Sequence, residues 1–105
     1  MQIQHVRYFL ALCEELNFTR AARRCGISQP TLTNAVGKLE QELGGPLFQR
    51  RPEIALTALG HAVRPYLHEI EQCVGAAHQV ARNALMDESR ASQAPVAHRA
   101  REPVE

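Results

Sequence analysis

The sequence predicts a mainly α-helical fold in which three short helices precede a small β-hairpin and a long final helix. In four separate segments, apolar residues recur at steps of three and four, as they do on one face of an amphipathic helix. Capping residues, glycines and prolines separate these segments, and the stretch around Arg50-Arg51-Pro52-Glu53 has the pattern of a tight hairpin. A chain of 105 residues has room for one core.

The first two helices are predicted from one apolar stripe and one pair of alanines. A helix over residues 3–16 places five apolar side chains on one face: Val6, Phe9, Leu10, Cys13 and Leu16. Asn17 is a suitable N-cap for a shorter helix over residues 18–25. Ala21 and Ala22 on its inner face let another helix approach closely, and Gly26 can adopt the left-handed conformation that ends it.

The third helix is expected to begin at a cap on Ser28 and to run to about Leu43. Pro30 lies in its first turn, where a missing N–H costs no hydrogen bond. At about 100° per residue, the core face carries Leu32, Val36, Leu39 and Leu43. The opposite face is polar, with Thr33 and Lys38 on its flanks: Pro30, Asn34, Gly37 and Gln41.

After Gly44-Gly45-Pro46, two short strands at residues 47–49 and 54–56 predict a two-stranded β-wing. Thr57 is expected to cap a last helix that ends near Leu85, with a bend at Pro65. At about 40 Å, this helix is longer than so small a domain can cover, so part of its apolar stripe needs a partner. The predicted dimer interface is Val63, Leu67, Ile70, Val74, Ala77 and Ala81.

The predicted organisation is therefore a winged helix-turn-helix domain over residues 1–57, a dimerisation helix over 58–86 and a tail over 87–105. The tail is polar, rich in proline and alanine and without periodicity, so we expect it to be disordered. No apolar run is long enough to cross a bilayer, and the N-terminus has no signal-peptide pattern. We expect a cytoplasmic, nucleoid-associated protein whose three cysteines are reduced and buried as small apolar residues.

Charge is distributed unevenly, although the net charge is only +1. Residues 1–56 carry seven Lys/Arg against five Asp/Glu, whereas residues 57–88 carry two against four. The excess positive charge therefore belongs to the helix-turn-helix and wing, in six side chains: Arg20, Arg23, Arg24, Lys38, Arg50 and Arg51.

A helix, a sharp turn and a helix with a polar outer face predict DNA binding, with the second helix in the major groove. Amides and hydroxyls at the start of that helix meet base edges first, and Gln29, Thr31, Thr33 and Asn34 supply them, with Pro30 as an apolar contact. Ser28 and the helix N-terminus favour a phosphate. The six cations of the helix-turn-helix and wing are expected to flank the groove and to contact the DNA backbone.

Several motifs resemble the LysR-type transcriptional regulators over roughly residues 1–85. They are Phe18-Thr19 with Ala21-Ala22, Ile27-Ser28-Gln29-Pro30 through Leu32-Thr33, Leu39-Glu40 with Leu43-Gly44, Leu47-Phe48 with Arg50, and Leu56-Thr57 with Gly60. The resemblance implies base contacts at Gln29, Pro30, Thr33 and Asn34. It implies phosphate contacts at Ser28, Thr31 and Lys38, and wing contacts from Arg50 or Arg51.

The resemblance also implies dimerisation through the long helix, partly palindromic promoter sites and, in many members, tetramers. Family members carry an effector-binding domain after that helix, and these 105 residues contain none, so we expect no small-molecule effector site here. A module that only heterodimerises with longer relatives and titrates them is the alternative. No cofactor or metal is expected, since no nucleophile-elbow or phosphate-loop motif occurs and the histidines lack metal-ligand spacing. We therefore expect no enzyme activity.

Overall fold

The structure, a computed structural model, describes the backbone of residues 1–93 and the side chains of residues 1–90. This part of the chain contains four α-helices and one two-stranded antiparallel sheet: α1 (Ile3–Glu15), α2 (Phe18–Cys25), α3 (Gln29–Leu43), β1 (Phe48–Gln49), β2 (Ala55–Leu56) and α4 (Ala58–Gln93). The predicted winged helix-turn-helix with a long last helix is confirmed. The chain divides into two compact units, and we call the first of them, residues 1–72, the head.

The short helices begin and end at the residues that the sequence marks for this purpose. The Asn17 side chain accepts a hydrogen bond from the backbone N–H of Arg20 at 2.8 Å, which caps α2. Gly26 ends α2 in the left-handed region, with φ at 70°. The Ser28 hydroxyl accepts from the backbone N–H of Thr31 at 3.2 Å, which caps α3. The turn between α2 and α3 is therefore fixed at both ends by local hydrogen bonds.

The core of the head is apolar and is formed by α1, α2, α3, the wing and the start of α4. The rings of Phe9 and Phe48 are both buried, and their centroids lie 5.5 Å apart in a tilted arrangement. The predicted core face of α3 is confirmed, with three buried residues and one half-buried: Leu32, Val36, Leu39 and Leu43. This burial directs the opposite side of α3 to solvent.

The wing is shorter than predicted, because each strand has two residues instead of three. The strands pair with Phe48 opposite Leu56. The backbone N–H of Leu47 donates to Glu40 Oε2 at 2.8 Å, so this residue bonds to α3 and β1 begins one residue later. A carboxylate on α3 thus binds the start of the wing directly.

The last helix is longer than predicted, since it runs over Ala58–Gln93 and does not end near Leu85. Its predicted cap is present, with the Thr57 hydroxyl accepting from the backbone N–H of Gly60 at 3.0 Å. Pro65 lies inside it, and the bend expected there stays a prediction. Despite the length of α4, no helix in the described part of the chain has the apolar stretch that a membrane crossing requires.

The disorder predicted for residues 87–105 is wrong for residues 87–93, which are helical. These residues include no glycine or proline, and Arg90 pairs with Asp87 at 3.3 Å one turn earlier. Adding residues to an existing helix needs no new nucleation, so polar residues without glycine or proline can extend it even without an apolar stripe. The rest of that predicted tail, residues 94–105, lies outside the described residues.

The apolar stripe predicted for a dimer partner is divided between two roles. Leu67 is only 3% exposed and belongs to the core of the head, and Val63 is half-buried against that core. Leu67 therefore offers almost no surface to a partner, which corrects its assignment to the interface. Other members remain accessible, with Ile70 42% exposed. Ala77 and Ala81 are exposed and Val74 is half-buried.

The three cysteines are free thiols, but they are not equally buried. Cys13 is buried, and this burial raises the pKa of its thiol to about 11. Cys25 is half-buried, and Cys73 is exposed, so the prediction of three buried cysteines is wrong for Cys73. A small apolar residue in a helical stripe is buried only where another element covers that stripe.

We predict that Gly60→Ala destabilises the head. Gly60 is buried in the first turn of α4, where a Cβ would overlap the carbonyl oxygen of Leu47 and the side chain of Leu56. The free energy of unfolding should fall by about 1–3 kcal/mol, as in other overpacked cores. Urea denaturation followed by circular dichroism measures this change. Gly37→Ala is the matched control: Gly37 is also helical but has open space around it, so the same substitution should stabilise by about 0.5–1 kcal/mol.

Candidate nucleic-acid interface

The outer side of α3 presents uncharged polar groups to solvent. The four residues predicted to contact bases are all exposed there: Gln29, Pro30, Thr33 and Asn34. Residues 29–37, which form more than the first two turns of α3, include no charged side chain. Amides and hydroxyls both donate and accept hydrogen bonds, so this surface can pair with either kind of group on a ligand.

One of these side chains is attached to the neighbouring helix. The Thr19 hydroxyl, in the first turn of α2, donates to Gln29 Oε1 at 3.2 Å. Thr19 was missed as a candidate site residue, because a threonine near a helix start carries no signal of its own in the sequence. Only the folded turn brings it to Gln29.

Two hydroxyls stand together at the N-terminus of α3. Ser28 Oγ lies 2.8 Å from Thr31 Oγ1 and also accepts the backbone N–H of Thr31. Both residues are exposed. The unpaired backbone N–H groups and the dipole of a helix N-terminus favour negative charge, so the predicted phosphate contact at this position is compatible with the geometry and stays a prediction.

A shallow groove separates the first turns of α1 from the outer side of α3. Gln4, His5 and Tyr8 line one side of it, and Asn34 and Lys38 line the other. The α1 residues were missed from the sequence, because polar residues early in a helix are ordinary surface positions. Lys38 is exposed and makes no hydrogen bond or ion pair within the residues that the structure describes.

Two of the three arginines of α2 are bound to the end of α1. Arg24 pairs with Glu14 at 2.7 Å and with Glu15 at 3.2 Å, and Arg20 pairs with Glu15 at 3.4 Å. The hydrogen bonds that Arg24 donates to Glu14 and to Glu15 raise the pKa of its guanidinium above its usual value. The structure therefore places Arg20 and Arg24 in a local ion-pair network and leaves less of their charge available to a ligand.

The third arginine of α2 lies on the other flank of the helix. Arg23 follows Thr19 by four residues, so both side chains project from the flank that faces Gln29. The side chain of Arg23 is exposed and makes no hydrogen bond or ion pair in the described part of the chain. Its charge is available beside the start of α3.

The two wing arginines also differ in whether their side chains have partners within the head. Arg50 folds back over the ring of Phe18, with 5.2 Å from Cζ to the ring centroid. It donates to the carbonyl oxygen of Phe48 at 3.1 Å and lies 3.7 Å from Glu40. The side chain of Arg51 is exposed and makes no such contact among residues 1–90. The sequence left open which of the two contacts DNA, and that choice stays a prediction; the contacts show that Arg50 is bound within the head.

The element order and the polar outer side of α3 point to one family of regulators. A family model described as "Bacterial regulatory helix-turn-helix protein, lysR family" matches residues 3–61, more than half of the chain. This chain belongs to the LysR family. The resemblance inferred from the motifs is thereby confirmed from α1 to the start of α4.

Relatives and solved structures of the LysR family agree with this fold. The chain is 43% identical over 83 residues to the transcriptional regulator IlvR of Caulobacter vibrioides, covering 78% of this chain and 28% of IlvR. A complex of the BenM DNA-binding domain with catB site 1 DNA has a TM-score of 0.76 at 32% identity and covers 81% of this chain and 97% of that one. The corresponding CbnR complex with DNA has a TM-score of 0.74 at 35% identity and covers 81% and 99%. The chain spans less than half the length of the curated relatives it matches.

We predict that the wing arginines of this LysR-family chain differ in their effect on stability. Arg50→Ala removes the contact with Phe18 and a hydrogen bond to the backbone, so the free energy of unfolding should fall by about 1 kcal/mol. Arg51→Ala should change it by less than about 0.5 kcal/mol, as for other surface positions. Guanidinium denaturation of both variants tests this difference. Equal stabilities would contradict a structural role for Arg50.

Proposed function

We propose that this LysR-family chain is a transcriptional regulator that binds double-stranded DNA sequence-specifically, with the outer side of α3 in the major groove. The observation that carries the proposal is the uncharged amide, hydroxyl and proline surface of residues 29–34, next to cations without partners on α2, α3 and the wing loop. The DNA-bound forms of the BenM and CbnR DNA-binding domains, which share this fold, support it. On this proposal the chain acts by binding alone.

We assign two kinds of contact to two kinds of side chain. Gln29, Pro30, Thr33 and Asn34 read base edges, since amides, hydroxyls and apolar groups match the pattern of the major groove. Ser28 and Thr31, together with the unpaired cations Arg23, Lys38 and Arg51, contact phosphates and position the head. Arg20, Arg24 and Arg50 are held by internal partners and contribute less.

We predict that Gln29→Ala lowers discrimination between the specific site and random DNA by about 1–3 kcal/mol, because one base contact is lost. The bound site is first selected from a library of random duplexes, and affinities are then compared by fluorescence anisotropy. Gln41→Ala is the matched control: it is the same change on an exposed residue of α3, three turns further from the helix start. Equal losses on specific and random duplexes would remove Gln29 from the base contacts.

We predict that Lys38→Ala and Arg51→Ala weaken binding to all sequences alike. Each variant should reduce the slope of log affinity against log salt by about 1, because one phosphate contact releases about one counterion. Arg20→Ala should change the slope less, since Glu15 already neutralises that charge. Titrations at four salt concentrations measure the slopes. If Lys38→Ala and Arg51→Ala both leave the slope of the unmodified chain unchanged, the assignment of Lys38 and Arg51 to phosphate contacts is wrong.

We further propose that the chain forms a homodimer through an exposed stripe of α4. This exposed stripe does not include the buried Leu67. It consists of six apolar or small residues of α4 at alternating steps of four and three: Tyr66, Ile70, Cys73, Ala77, Val80 and Ala84. Each is exposed, including Tyr66 at 69% and Val80 at 66%. This spacing is the one by which helices pair along a narrow seam. The stripe shares Ile70 and Ala77 with the interface predicted from the sequence.

We predict that Ile70→Asp and Val80→Asp each convert the dimer to a monomer, because a carboxylate in an apolar seam loses its hydration. Val80 is largely exposed, so that substitution should leave the fold of the monomer intact. Gln72→Asp is the control, an exposed position of α4 outside the stripe. Sedimentation velocity gives the oligomeric state, and a dimer that persists in both stripe variants would exclude this seam.

A further inference from the structure

The hydrogen bond between α2 and α3 connects a residue outside the proposed base contacts to one inside them. Thr19 Oγ1 donates to Gln29 Oε1 at 3.2 Å, joining the second residue of α2 to the first residue of α3. We propose that Thr19 is a positioning residue that fixes the Gln29 amide with its NH2 group directed outward. This inference rests on the proposed function, in which Gln29 reads a base edge.

The backbone of Thr19 belongs to a capped helix that packs on the core. Thr19 lies one residue before Arg20, whose backbone N–H bonds to the Asn17 cap, so it belongs to a capped first turn. The buried alanines Ala21 and Ala22 hold α2 on the core. A β-branched residue in a helix has few side-chain rotamers, which limits the places that its hydroxyl can reach.

A fixed amide presents a different surface from a free one. A free glutamine at the surface can turn over and offer either its carbonyl oxygen or its NH2 group, and it loses rotamer entropy when DNA orders it. While Oε1 accepts from Thr19, the NH2 group is the end of the Gln29 amide that is left for a ligand. Donors bind acceptors, which in the major groove are N7 of purines, O6 of guanine and O4 of thymine.

Cytosine has no major-groove acceptor, and it offers only its N4 amino donor. The orientation set by Thr19 therefore selects against cytosine at the base that Gln29 meets. Without the hydroxyl, the amide can turn so that Oε1 accepts from cytosine N4. Loss of Thr19 should thus relax a base preference while leaving Gln29 in place.

The test uses the full chain and five variants: Thr19→Val, Thr19→Ala, Thr19→Ser, Gln29→Ala and the double variant Thr19→Val/Gln29→Ala. Thr19→Val keeps the shape of the side chain, and Thr19→Ser restores the hydroxyl. Four duplexes are compared, which differ only at the base pair whose preference is lost in Gln29→Ala. Thr19→Val and Thr19→Ala should reduce discrimination against cytosine by about 2- to 10-fold, the range of one net hydrogen bond. Thr19→Ser should stay within about 2-fold of the unmodified chain by the same measure, and the double variant should equal Gln29→Ala.

The outcomes separate this inference from the function on which it rests. If Gln29→Ala changes no base preference, the assignment of Gln29 as a base reader fails. If Gln29→Ala changes one preference and the Thr19 variants leave it intact, or weaken all four duplexes equally, the positioning role is overturned and the base reader stands. Side-chain amide relaxation in the DNA-free protein gives a second readout. The Gln29 NH2 group should be rigid in the unmodified chain and mobile in Thr19→Val, and mobility in both would also overturn the positioning role.

Discussion

The close packing of α2 against α3 determines where the candidate DNA-contacting groups of the head lie. Ala21 and Ala22 are 0% and 3% exposed, and their single methyl groups allow α3 to approach the backbone of α2. Asn17 and Gly26 limit α2 to eight residues, and α3 begins after a short turn at Gln29. This arrangement brings Gln29 to Thr19 and leaves the outer side of α3 uncovered. A larger side chain at either alanine would have to displace α3, because cores of this density have no spare volume.

The cations of the head fall into two groups that the sequence does not separate. Arg20, Arg24 and Arg50 are bound by carboxylates or lie over an aromatic ring, and they connect α1, α2, α3 and the wing to each other. The side chains of Arg23, Lys38 and Arg51 are exposed without such partners within residues 1–90. A cation already paired with a carboxylate releases little additional free energy on meeting a phosphate, whereas an unpaired one has only water to exchange. Which side chains can bind a polyanion therefore depends on which of them already have partners, more than on the number of arginines.

The fold was predictable from the sequence, because local signals at each boundary agree with the apolar periodicity. Asn17, Gly26 and Ser28 act as the caps and the helix end that their residue types suggest. The prediction was less successful where a long-range contact overrides a local pattern. Glu40 is an ordinary surface carboxylate in the sequence, yet it binds the backbone of Leu47 and shortens the wing. The end of α4 was missed for the opposite reason, since a helix needs no apolar stripe to continue and a stripe was the signal used.

The site was predictable as a set of residue types on one helix face, but not as a set of partners. Periodicity places Gln29 and Asn34 on the solvent side of α3, and the structure agrees. The hydrogen bond from Thr19 joins residues ten positions apart across a turn, and no pattern of spacing indicates it. The division of the stripe in α4 depends likewise on which part of the helix the core of the head covers, as Leu67 illustrates.

The Glu40 carboxylate has one further consequence for a head that meets a duplex. It belongs to α3, bonds to the first residue of the wing at 2.8 Å and lies 3.7 Å from Arg50, so α3 and the wing cannot slide past each other without breaking these contacts. The base of the wing is thus held at a set distance from α3. A duplex whose groove widths match that distance is met without deformation, whereas one with a different local shape must bend or twist, at a cost that depends on its sequence. Such a rigid span would make the head responsive to DNA shape as well as to base edges.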